Sequence, residues 1–404
     1  MGIAALSLFG CSQKKTITDD SAWLRNGIET AQFQLKMTAE AIDSKNIQDT
    51  AVFPRSILNP KPMAEKNPQN WIDSLRLEKP RDWTSGFFPG SMWLAYELTG
   101  DDTLKQEARK YTELLSDLQY YTGTHDLGFM VFCSFGNAYR LAPEAGDSAI
   151  IVNASKSLAS RYNPQKGVIR SWDFGEWTYP VIIDNMMNLE MLFWASQATQ
   201  DSTFRNIAIT HADNTMKFHY RPDMSCCHVV DYIDPTNDIT KQMTYQGYSD
   251  SSTWARGQAW GLYGYTLCFE ETNHSAYLER AQQIAKFIME NPAIPEDLIP
   301  YWDYNAPTIP DAPRDASAAA VTASALFELS TLVENGQTYF DYAEKIIKEL
   351  STPNYLAEKG TNNGFILKHS TGSLPHGSEI DVPLNYADYY YLEALRRYIK
   401  LKNI

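Results

Sequence analysis

The chain has 404 residues, 44% of them hydrophobic, enough apolar material for a large core. Its formal charge is −14, with 35 Lys and Arg scattered among 49 Asp and Glu, so no basic face exists to neutralise phosphates and a nucleic-acid binder is excluded. An anionic substrate would have to find positive charge locally.

In chain order, the first feature is an apolar run, Ile3 to Phe9, that ends in Leu8-Phe9-Gly10-Cys11 and then turns polar. It resembles a bacterial lipoprotein signal, although the usual basic start is missing. It predicts a signal and tether over 1–20, with Cys11 as the lipidated residue. The body, 21–404, is then a single domain in the periplasm or at the outer membrane, touching the membrane only through that anchor. A frayed terminus with a chance Cys is the alternative. No other run approaches membrane-spanning length. Cys133, Cys226, Cys227 and Cys268 show no paired C-x-x-C spacing and read as free, buried thiols. Cys226-Cys227-His228 offers too few ligands for a metal, and none is expected.

The rest of the chain repeats a theme. A hydrophobic helix stops at a polar turn and an amphipathic helix follows: LAYELTG before Asp101, AYRLAPEAG before Asp147, LFWASQATQ before Asp201, Leu262 to Asn273, ALFELSTLVENG, and finally Tyr386 to Lys400. The intervals of about 45 to 75 residues are too long for the short helical repeats. Six helical hairpins follow from this count. Helices apolar nearly all round belong inside and their amphipathic successors outside, which predicts an all-α barrel of two rings. Identical hairpins align the inner helices, so their N-termini gather at one mouth.

The unusual residues lie at those N-termini. Trp83-Thr84-Ser85-Gly86-Phe87 leads into the first inner helix, His125-Asp126 into the second and Asp184-Asn185 into the third. Trp254 to Trp260 (WARGQAW) opens the fourth, Arg314-Asp315 the fifth, and His376-Gly377-Ser378 precedes the sixth. Singly, Asp and Ser are ordinary caps and Trp is ordinary core. Together they place two carboxylates, a His, an Arg and several aromatic rings at one rim. With 10 Trp and 13% aromatic residues the chain is suited to stacking on sugar rings. Helix N-termini and Arg256 favour an anion, and a uronic acid satisfies both demands.

Several long runs now occur in order: RDWTSGFFPGSMWLAYELTGD from Arg81, HDLGF from His125, IRSWDFGEWTYPVIIDNMMNLEMLFWAS from Ile169, HVVDY from His228, QGYSDSSTWARGQAWGLYGYT from Gln246, then IPYWDY and RDASAAA. They resemble the unsaturated glucuronyl hydrolases of glycoside hydrolase family 88 over nearly the whole chain beyond the leader. The resemblance implies a six-fold α/α barrel, no cofactor, and a substrate left by polysaccharide lyases, an oligosaccharide whose non-reducing end is a uronic acid with a C4=C5 double bond. It implies hydration of a vinyl ether: an acid protonates C4, water adds at C5, and the resulting hemiketal opens and expels the rest of the sugar. Asp184 matches the family's general acid and base, and Asp126 its second essential carboxylate. Gln246, Trp254, Arg256 and Trp260 match the substrate-contacting segment, Trp83 and Phe87 match aromatic positions that stack on the sugar, and His228 matches a histidine beside the acid. Gln242, Thr244 and His125 are further substrate-binding candidates; Trp172, Trp302 and Asp303 are assigned to the rim or to packing. A proton donor near neutral pH needs a raised pKa. A helix N-terminus would lower that of Asp184, whereas Asp126 and a dry wall would raise it, so the two acids are treated as a coupled pair.

Two departures bear on specificity. Members that prefer sulfated chondroitin fragments carry a basic residue before the Gln-Gly-Tyr turn and a Ser-x-x-Ser-x-Lys pattern near the C-terminus. Here the first position is Tyr245, and the loop reads GSLPHGSEID, with Glu379 where a cation would serve. Alternatives are the unsaturated rhamnogalacturonyl hydrolases, whose motif commonly has Asn-Gly in place of Gln258-Ala259, and a non-catalytic, lipid-anchored glycan-binding protein.

Overall fold

The computed structural model describes residues 21–45, 51–58, 70–234 and 239–404; the proposed signal and Cys11 lie outside these. Among these described residues, twelve α-helices form two concentric rings. The outer ring comprises α1 (Ala22–Ser44), α3 (Asp102–Glu113), α5 (Asp147–Ala159), α7 (Ser202–Phe218), α9 (Ser275–Glu290) and α11 (Gln337–Leu350). The inner ring comprises α2 (Phe87–Thr99), α4 (Asn137–Leu141), α6 (Leu189–Thr199), α8 (Ala255–Thr272), α10 (Ala316–Thr331) and α12 (Asn385–Lys402). This is the six-fold α/α barrel expected from the pattern.

The division follows side-chain character. Helix α8 is buried without interruption from Ala255 to Cys268, and α10, built largely from Ala, Ser and Thr, from Ala316 to Phe327. Helix α11 buries only Ala343, Ile346, Ile347 and Leu350, a single stripe at helical spacing. Asp101 and Asp201 cap the following outer helices by accepting hydrogen bonds from the backbone N–H of Thr103 and Thr203, each 2.9 Å.

Two features depart from a simple count of hairpins. The last inner helix, α12, has no successor; its outer cover is α1 from the other end of the chain, with Trp23 against Tyr398 at 5.4 Å between centroids. The barrel is therefore closed by the most non-local pairing in the fold. The second inner helix begins not as an α-helix but as a π-helical stretch, Gly128–Gly136, that runs into α4.

Short strands at the mouth were not anticipated either. Strands β1 (Phe53–Ile57) and β2 (Leu75–Glu78) form one antiparallel pair, and β3 (Tyr162–Asn163) and β4 (Val168–Ile169) another. Strands β5 (Pro180–Ile182), β6 (Val229–Asp234) and β7 (Ile239–Met243) form a three-stranded sheet with β6 at its centre, Ile182 opposite Val229 and Val229 opposite Met243. Hence the residues following β5, preceding β6 and following β7 all emerge at one end of that sheet. The four cysteines of the body are free and buried. No helix among the described residues is long and apolar enough to cross a membrane.

Candidate active site

The sheet end delivers the chemistry. Ile182 passes directly into a 3₁₀ turn, Ile183–Asn188, that carries Asp184; the sequence pattern had placed it on the first turn of an α-helix. Asp184 is only 6% exposed, and its Oδ2 has no hydrogen bond. Facing that oxygen at 3.5 Å is Nε2 of His228, one residue before β6. The other ring nitrogen, Nδ1, accepts the backbone N–H groups of Tyr245 (3.1 Å) and Gln246 (3.0 Å), just beyond β7. A nitrogen that accepts two hydrogen bonds carries no proton, so the imidazole proton sits on Nε2 and points at Asp184. Trp254 packs on the same ring at 4.6 Å.

Asp126 stands on the approach to the π-helical stretch. Thr124 Oγ1 donates to its Oδ2 at 2.6 Å, and His125 Nε2 lies 3.3 Å from Oδ1. Burial pushes the Asp126 carboxyl above its usual range, and the charge of Asp184 pushes it further the same way against His125 and Thr124. Burial moves His125 in the opposite sense, toward the neutral ring. The charge of Asp184 thus reaches Asp126, and both carboxyls face the same cavity.

These groups open into a cavity of about 480 Å³, a size suited to one or two sugar rings. One wall is Trp83, whose ring lies 5.0 Å from that of Tyr386. The opposite wall is an aromatic sequence in space: Phe174 stacked on Trp172 at 5.1 Å and 16°, Trp172 against Tyr245 at 5.3 Å, and Tyr245 against His376 at 4.3 Å. Phe174 is 54% exposed, an open apolar face. Between the walls, Arg55 from β1 holds Asp82 at 2.9 Å and grips both oxygens of Glu379 at 2.7 and 3.0 Å.

Of the residues singled out from sequence, Asp184, Asp126, His125, Gln246 and Trp83 line this cavity, and Trp172 joins them from the rim. His228 sits behind Asp184. The others are elsewhere. Phe87 is buried beneath Trp83 in a cluster with Phe129, Tyr386, Tyr389 and Tyr390, so its ring presents no face to a sugar. Trp260 is packed between Phe129 and Tyr390, and Trp254 between His228 and Arg256. Gln242 donates to the carbonyl of Phe218, and Thr244 Oγ1 accepts the N–H of Gly247; both hold backbone. Asp303 organises the same loop, accepting Tyr248 N–H and Ser252 Oγ, and Trp302 is core.

Arg256 needs the largest correction. Expected to meet a substrate carboxylate, it is 0% exposed, and its guanidinium donates to Asp315 Oδ2 at 2.6 Å and to the carbonyls of Thr371 and Gly372, each 2.7 Å. Gln246 Nε2 also donates to the Gly372 carbonyl, at 3.0 Å. Arg256 therefore fixes the loop on which Gln246 rests. Sequence reasoning missed Arg55, Tyr386, Phe174 and Tyr245 as lining residues. Phe174 lay inside one of the long runs beside Trp172, and Tyr245 immediately precedes another at Gln246; Arg55 gave no signal.

The family model for Glycosyl Hydrolase Family 88 matches residues 58–398. The chain belongs to that family. As a family 88 member it is 48% identical over 320 residues to an unsaturated glucuronyl hydrolase of Formosa agariphila, covering 78% of this chain and 80% of that one. It is also similar to the crystal structure of an unsaturated glucuronyl hydrolase specific for heparin, with TM-score 0.88 and 48% identity over 95% of this chain and 99% of the other. A Streptococcus agalactiae unsaturated glucuronyl hydrolase mutant complexed with dGlcA-GalNAc6S aligns with TM-score 0.74 and 25% identity over 96% of each chain. The family 88 assignment makes the protein a glycoside hydrolase whose partner is an unsaturated oligosaccharide.

Proposed function

We propose that the protein removes the 4,5-unsaturated uronic acid from the non-reducing end of lyase-generated, glycosaminoglycan-type oligosaccharides. The observation that carries this is Asp184, a nearly buried carboxyl with a free oxygen, held at the floor of an aromatic-walled cavity opposite a histidine whose tautomer is fixed. Asp184 gives its proton to C4 of the ring, and positive charge develops at C5, stabilised by the ring oxygen. The resulting carboxylate takes a proton from the water that attacks C5. The hemiketal so formed opens, its C1–O bond to the next sugar breaks, and that sugar leaves with a proton on its oxygen. One carboxyl serves both proton transfers, which requires no second group at the distance an ordinary glycosidase needs. Asp126 lines the same cavity as Asp184, and Trp83 and the Trp172–Tyr245 wall orient the rings.

The test mixes the purified protein with a panel of lyase-generated unsaturated disaccharides and follows the ultraviolet absorbance of the double bond. Loss of absorbance with release of the reducing-end sugar is expected. Binding without loss on every member would instead leave a glycan-binding protein.

The apolar run ending at Cys11 supports a lipid anchor and a periplasmic or outer-membrane position. Incorporation of labelled fatty acid that disappears in Cys11→Ser is the corresponding measurement.

A further inference from the structure

Three arginines bear on the charge of this mouth, and two are spent. Arg55 is neutralised by Asp82 and Glu379, and Arg256 by Asp315. Arg81 is different. It lines the cavity, is exposed, and lies over the ring of Tyr121 at 5.0 Å, with no carboxylate within ion-pair distance among the described residues. Its backbone is held in a hydrogen-bonded turn: Asp82 N–H donates to the Lys79 carbonyl, Ser85 Oγ to the Pro80 carbonyl, and Thr84 N–H to the Asp82 carboxylate. The guanidinium thus projects from a fixed base, with an aromatic face to restrict it, into the opening of a substrate cavity.

Depth decides what it meets. The reacting ring must reach Asp184, which is nearly buried, whereas Arg81 is at solvent level. An anion meeting Arg81 is therefore carried by the sugar that follows the uronate. We propose that Arg81 recognises a sulfate ester on that second sugar, its planar fork matching two sulfate oxygens. Glu379, which from sequence looked hostile to sulfate, does not oppose this. Both its oxygens are gripped by Arg55, Arg76 Nη1 adds a contact at 3.2 Å, and its side chain is almost buried. The hydroxyls of Ser373 and Ser378 line the same cavity.

This inference rests on the substrate class proposed above, so its test reads binding apart from turnover. The Asp184→Asn protein, with and without Arg81→Ala, is titrated calorimetrically with an unsaturated disaccharide bearing a 6-sulfate and with its unsulfated counterpart. The sulfated-to-unsulfated affinity ratio should fall at least fivefold on Arg81→Ala and recover partly in Arg81→Lys. Added salt should erode the ratio in the parent and not in Arg81→Ala. An unchanged ratio overturns the proposal. So does equal weakening of both ligands, which would assign Arg81 to the uronate carboxylate they share, and so does failure of the sulfated disaccharide to bind the Asp184→Asn protein. Turnover by the unmodified protein, measured separately, decides the hydrolase reading itself.

Discussion

At the scale of single residues, the site separates groups that do chemistry from groups that hold them. Asp184 has a free oxygen and His228 a directed proton, whereas Arg256 has spent its donors on Asp315 and two carbonyls. Asp184→Asn should lower turnover by about 10²- to 10⁴-fold, the range for losing a general acid, while sugar binding survives. Retained turnover would refute the assignment. Arg256→Met should act on stability first. It strands Asp315 as a buried, unpaired charge, and a loss of about 3–5 kcal/mol in urea unfolding is expected, partly recovered by adding Asp315→Asn. Full stability in Arg256→Met would show that the pair carries no structural weight. From sequence both residues looked alike, a charged side chain in a motif at a helix start. Only the partners distinguish them.

At the scale of elements, the small sheet β5–β6–β7 is what assembles the floor. It brings together Asp184, His228 and Gln246, which are separated in sequence and belong to no common helix. These strands are short, and three to six residues of extended chain cannot compete with the strong helical periodicity around them, so a reading for helix ends passed over them. The loop from Ser370 to Glu379 is the second such element. Gly372 sits where a Cβ would come within 2.4 Å of Glu379 Oε2 and 2.7 Å of its Cβ, and Glu379 is clamped by Arg55 and cannot yield freely. Gly372→Ala should therefore displace the carbonyl that Arg256 and Gln246 share, destabilising the protein by about 1–3 kcal/mol and raising KM. Unaltered kinetics in that variant would mean that the loop adapts and does not hold Gln246.

At the scale of the molecule, the barrel has two ends. The far one encloses a cavity of about 400 Å³ lined by Phe132, Trp194, Tyr263, Tyr389 and Glu190. Burial, followed by the charge of Glu393, pushes Glu190 from 4.5 up to about 8. The sign follows from the two states. Below about pH 4 both folded and unfolded chains hold this proton, and Glu190 has no effect. As pH rises toward 8 the unfolded chain releases the proton and the folded one keeps it, so stability falls across that window and is level above it. Asp388, buried beneath the backbone N–H groups of Ile366 and Leu367 and also pushed up to about 8, adds to the same slope. Glu190→Gln should raise unfolding free energy on the order of 1–3 kcal/mol at pH 8 and negligibly at pH 4. Equal effects at the two pH values would exclude titration of Glu190 as the cause.

The sequence by itself determined the number of hairpins, the two rings and the mouth at which the unusual residues gather, because each of these is written in local periodicity and in caps within a few residues of the helix they start. It also marked Asp184, Asp126, His125, Gln246 and Trp83, which carry chemistry-bearing side chains inside long motifs. Tertiary structure alone decided that α1 closes the ring against α12, that a three-stranded sheet sets Asp184 against His228, that Phe87 and Trp260 are buried while Phe174 is open, and that Arg256 is spent on Asp315 while Arg81 lies over Tyr121 with no carboxylate partner among the described residues. Those outcomes depend on which distant segments meet. Exposure and charge pairing are properties of such contacts and not of any one stretch of chain.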